Sequence, residues 1–97
     1  MATVEYHSHG LSKSLYVTLC HDIIVATMGA AHRVLFKEEK NNEPDMDIVR
    51  EMRKIARECS EMMQGSANFD SIEEMGNIIG TMTETYHEIV RFEISNY

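Results

Sequence analysis

The chain has no tryptophan, one proline, two cysteines and five glycines among 97 residues. Each scarcity excludes something. With Pro44 as the lone proline, long stretches are free to form unbroken helix, since nothing else locks φ or removes a backbone donor. Two cysteines cannot build a disulfide framework, and Cys20 and Cys59 lack the close pairing of a zinc module. Two reduced, packed thiols are expected. Positive charge is scarce as well: nine Lys and Arg face sixteen Asp and Glu, a formal net charge of −7. That balance argues against direct nucleic-acid binding, which needs a positive surface to neutralise phosphates.

The opening residues "MATVEYHSHG" lack a basic segment followed by an apolar run, so no secretory leader is expected. The longest apolar stretch, 15–36, reaches the length of a membrane span but contains His21, Asp22, His32 and Arg33. Those groups would be costly in hydrocarbon. The stretch reads as the core helix of a cytoplasmic protein, with no membrane partner.

What is present is a foldable composition, 43% hydrophobic and 26% charged. Eight methionines point to a soft, adaptable core. Residues 1–10 show no sustained period and read as a flexible N-terminal arm. Residues 11–97 read as one domain with helices at about 11–37, 45–64 and 71–94. In the first, Leu15, Leu19, Ile23, Ala26, Ala30 and Val34 share a side. Val17, Ile24, Met28, Ala31 and Leu35 widen it to roughly two-thirds of the circumference. The second carries a narrow seam, Ile48, Met52, Ile55, Cys59 and Met62, and meets a stop at Gly65. The third opens with Asp70 or Ser71 as cap, and Glu73 or Glu74 can close a capping box. Its seam is Ile72, Met75, Ile79, Met82, Tyr86 and Ile89, and Glu93 then breaks the pattern.

Short connections between helices favour antiparallel neighbours. The expected fold is therefore all-α, an antiparallel up-down-up three-helix bundle with helix 1 as its apolar centre. Two narrow seams leave part of that wide face over, so association into a helical homodimer is expected.

The motif with the most chemistry in it is "TETYHEIV". Glu84 and His87 form a Glu-x-x-His pair, half of a di-iron carboxylate set. The motif occurs once, and the helical wheel puts Glu84 opposite the seam. A divalent-metal site is the alternative reading, with His32 at the same height as Glu84 and His87. The main reading is a protein-binding module, an adaptor, inhibitor or regulatory subunit acting through its polar helix faces. Arg50, Arg53, Lys54 and Arg57 share one face of helix 2 and could grip carboxylates or phosphates. A small phosphorylated ligand on that stripe is a further alternative. Glu73, Glu84 and Glu88 give helix 3 an acidic face for a basic partner. No catalytic constellation stands out, so no enzyme activity and no cofactor are expected. Gly76 and Gly80 suggest a close helix approach, against Gly29, Ala30 and Ala31 or against a second chain.

Overall fold

The computed structural model describes the backbone of residues 2–97 and the side chains of residues 13–97. It is all-helical and its three helices pack together: α1 (Ala2–Glu39), α2 (Met46–Gln64) and α3 (Ile72–Asn96), with a short 3-10 turn at Ser66–Phe69. The backbones of α2 and α3 both run close along α1 and scarcely approach one another, their direct contact being made by core side chains. α1 is thus the spine of a thin body whose principal extents are 58 × 26 × 14 Å.

The helix ends follow from local chemistry. Asp45 caps α2, its carboxylate accepting from the N–H groups of Asp47 at 3.0 Å and Ile48 at 3.4 Å. Ser71 caps α3 by accepting from the Glu74 N–H at 3.3 Å. At the far end of α2, the Asn68 amide donates to the Met62 carbonyl at 3.2 Å. Gly65 leaves room for that amide, since a Cβ there would sit 2.8 Å from Asn68 Nδ2. The 3-10 turn that follows gives no apolar period to read, and its four residues are too few to show one.

α1 begins at Ala2, ahead of the start expected near residue 11. An apolar period reports which face is buried, whereas an existing helix can propagate without showing one. The side chains of residues 1–12, and with them the arm as a packing element, lie outside the described residues.

The core side of α1 is also turned from the one expected. Cys20, Ile24, Thr27, Ala30, Ala31 and Val34 are fully buried, while Leu15 and Leu19 are exposed. A helix apolar over most of its circumference does not choose its own buried side; the neighbours choose it. α2 contributes Val49, Met52 and Cys59, and α3 contributes Met75, Met82 and Ile89. By length and composition Lys13–Glu39 could cross a membrane. Here its buried side is covered by the other two helices.

Two polar fastenings complete the packing. Glu93, which interrupts the α3 seam, accepts from Lys37 Nζ at 2.7 Å and pairs with the Arg33 guanidinium at 3.3 Å. The buried Glu38 carboxylate accepts from the Asp45 N–H at 2.7 Å, from Asn41 at 3.3 Å and from the Tyr97 hydroxyl. The glycines do not make the close approach expected of them. A Cβ on Gly29 or Gly80 would meet nothing within 4 Å, and one on Gly76 would make ordinary contact with Tyr16 at 3.9 Å.

Candidate partner-binding surface

On a 100° wheel α2 presents three strips. Val49, Met52 and Cys59 are buried, the second strip holds Ile48, Glu51, Ile55 and Glu58, and the third is basic: Arg50, Arg53, Lys54 and Arg57. α3 divides likewise. Met75, Met82 and Ile89 are buried, Thr81, Thr85, Glu88 and Phe92 form the next strip, and Glu73, Glu84 and His87 lie outermost and exposed.

The second strips of the two helices line a recess of about 350 Å³. Its floor is Met52, Met82 and Ile89, its walls include Ile48, Ile55 and Phe92, and its rims carry Glu51, Glu58 and Glu88. A recess sharing Ile48 and Phe92 extends it toward Asp45 and Tyr97. Another, sharing Thr81 and Met82, extends it toward Met62 and Glu74. Together they form a groove along the length of α2. Like charges on both rims oppose closure of the gap between α2 and α3.

The sequence-predicted site residues fall on three separate surfaces. Of the basic stripe, Arg50 pairs with Asp47 in the same helix, and Arg53 meets Glu39 of α1 at 2.9 Å. Lys54 and Arg57 form no ion pair among the described residues. Part of the stripe is thus neutralised by Asp47 and Glu39. Glu88 belongs to the groove, whereas Glu73 and Glu84 face outward.

His32, Glu84 and His87 are not gathered into a metal site: among the described residues no three His, Cys, Asp or Glu side chains converge on one point. His32 shares a stripe with Glu39, seven residues on, whose carboxylate meets Arg53 of α2. α3 lies against the other flank of α1, where Arg33 and Lys37 reach Glu93. His87 packs against its neighbour Tyr86 with ring centroids 5.9 Å apart.

Cys20 and Cys59 are free thiols buried in one cluster, with Cys59 Sγ 4.0 Å from Met82 Sδ. Burial pushes both thiols up, and the Glu58 carboxylate adds to the effect on Cys59. Neither is an activated thiolate.

α1 also carries large apolar side chains that α2 and α3 leave exposed. Leu15, Leu19, Val25 and Phe36 are 57%, 47%, 44% and 59% exposed. Ile48 and Ile55, which the seam spacing puts in the core, are only partly buried and wall the groove instead. The usable signal was the alternation of those residues with Glu51 and Glu58 on one edge of α2.

In comparisons with known proteins, the chain matches no family model, no curated protein and no solved structure.

Proposed function

We propose that the chain is a small acidic protein-binding module, an adaptor, inhibitor or regulatory subunit that carries out no chemistry of its own. It works in the cytoplasm as a homodimer of up-down-up bundles. The observation that carries the reading is the exposed apolar set Leu15, Leu19, Val25 and Phe36 of α1. Apolar side chains grouped on one side of a body this thin favour a covering surface. Asp22, His32 and Arg33 on the exposed side of the same helix support a protein partner over lipid. The pairs Tyr16–Gly76, Thr27–Met82 and Arg33–Glu93 advance in the same order along α1 and α3, which supports the up-down-up path.

In this reading α1 seats the second copy, and α2 and α3 remain free for another protein. Light scattering on untagged protein should give twice the chain mass, and Leu19→Glu with Phe36→Glu should halve it. A monomeric parent would remove the homodimer. Bound metal measured in the same peak decides the metal alternative. For the partner, charge reversal at Arg53 and Arg57 or at Glu84 and Glu88 should each be compared with the parent in capture from native extract. A captured set unchanged by both would end the polar-face account.

Lys54 and Arg57, one turn apart and without ion pairs among the described residues, favour a second reading. A phosphorylated small molecule would sit there, and inorganic phosphate would then raise the melting temperature while Lys54→Ala removed the rise.

A further inference from the structure

The groove between α2 and α3 has a chemistry that neither outer face has. Its floor and walls are apolar: Met52, Met82, Ile89, Ile48, Ile55 and Phe92. Every charged residue lining it and its two extensions is a carboxylate: Glu51, Glu58 and Glu88 in the centre, Glu38 and Asp45 at one end, Glu74 at the other. Among the described residues no Lys, Arg or His lines any of the three recesses. Glu51, Glu58, Glu74 and Glu88 form no ion pair among the described residues. The four cations of α2 lie on its other exposed strip, so the chain does not neutralise this groove itself.

From Ile48 to Met62 the groove follows about 21 Å of helix axis, close to four turns. An elongated occupant fits such a shape better than a compact one. α1 already lies beneath α2 and α3, so one more helix laid between them would complete a four-helix arrangement.

We propose that this groove docks one amphipathic α-helix of a partner protein, with an apolar stripe against the methionine floor and Lys or Arg along both flanks. The apolar stripe supplies affinity by leaving water, and the basic flanks set orientation and partner choice against the two carboxylate rims. A helix with acidic flanks is rejected by the same rims. The inference rests on the protein-binding reading and names the partner class for one surface of it. Thioether side chains on the floor suit an occupant whose apolar residues vary, because Met adapts its rotamers to the surface offered.

The test uses the full chain with its methionine methyls isotopically labelled. The probes are about 20-residue helical peptides carrying Leu, Ile or Phe at i, i+3, i+4 and i+7. One set is flanked by Lys, and a matched set is flanked by Glu. The Lys-flanked set should bind one per chain, shift the Met52 and Met82 methyl signals, and weaken as salt rises. Replacing Glu51, Glu58 and Glu88 together by Gln should weaken binding about tenfold without changing the melting temperature. The inference is overturned if Glu-flanked peptides bind equally, or if no Lys-flanked peptide moves Met52 and Met82. It is also overturned if those methyls shift on dilution of the protein alone, which would place a second copy in the groove. Any of these results leaves protein binding through the outer faces standing wherever charge reversal at Arg53 and Arg57 still changes the captured set.

Discussion

The core has two halves of different make. Toward the 3-10 turn it is built of sulfur: Cys20, Cys59, Met75 and Met82 around Ile24, with Met28, Met62 and Met63 packed at the edge. Toward the α1–α2 connection it is built of small and branched residues, Ala30, Ala31 and Val34 with Ile89 and the single Met52. The second half also holds both polar fastenings, Glu93 with Arg33 and Lys37, and Glu38 with Tyr97. Thr27 stands between the halves. Its hydroxyl donates to the Ile23 carbonyl at 2.6 Å and lies 3.3 Å from the Met82 carbonyl of α3. The lesson is that the two halves obtain specificity by different means. Flexible thioethers fill space without fixing a register, whereas alanines set a close helix approach and charged pairs fix which residues meet.

That difference can be broken most sharply by emptying the sulfur half. Ile24 is fully buried there, and Ile24→Ala should destabilise by about 3 kcal/mol in urea unfolding. Neighbouring methionines that collapse into the space would place the loss at the low end of the usual range. Overfilling should separate the halves next. Ala30→Leu, at a fully buried position in the alanine half, should cost about 2 kcal/mol, while Met75→Leu in the sulfur half should cost less than about 1.5 kcal/mol. Equal losses would mean that the methionines are packed as rigidly as the alanines.

Titration tests the fastenings. Hydrogen bonds from the Asp45 backbone and then the Tyr97 hydroxyl hold the Glu38 carboxyl below its ordinary value. Lys37 and then Arg33 do the same for Glu93. Both folded values are depressed, so their stabilisation is present above the ordinary carboxylate range and is lost as pH falls through the folded values. Burial, followed by the Glu38 hydrogen bond, raises Tyr97 from 10.0 to about 12. Its contribution is therefore intact below pH 10 and lost as pH rises from there through about 12. Urea midpoints measured across pH should decline at both extremes. Tyr97→Phe should lessen the alkaline decline, which the buried Cys20 and Cys59 thiols share, and leave Glu93 to carry most of the acid one. An unchanged alkaline limb in that variant would show that Tyr97 is not latched in solution.

The smallest effect concerns glycines that belong to neither half. Gly29 and Gly80 lie inside helices at negative φ with open space where a Cβ would stand. Gly29→Ala and Gly80→Ala should each stabilise by about 0.5–1 kcal/mol in thermal melts. A loss at Gly29 that grows with protein concentration would instead identify close approach by a second chain.

Much of this frame is legible in the sequence. The seams of α2 and α3 place Met52, Cys59, Met75, Met82 and Ile89 in the core because a 3-4 spacing on an otherwise polar helix leaves one buried side. The Ser71 cap and the stop at Gly65 are equally readable, because capping is local chemistry. The buried side of α1 is not readable, since apolar residues nearly surround it. Glu93 reads as the end of a seam because Arg33 and Lys37, the exposed cations that pair with it, lie far back in the chain. The flank of α1 that His32 occupies is not readable either, because rotation depends on which side each neighbour docks. The groove needed both helices in place before its rims could be seen to share one charge.

The α2 and α3 backbones stay apart and meet only through core side chains such as Cys59 and Met82, which has a consequence for how the molecule could transmit a signal. Each helix has α1 as its common listener and little direct acquaintance with the other. A ligand on the basic stripe of α2 would be felt on the acidic face of α3 mainly by shifting α1, through the few core contacts such as Cys59 with Met82, or by filling the gap between the helices. The chain is wired as a hub with two spokes, and an occupant of the groove would close the circuit.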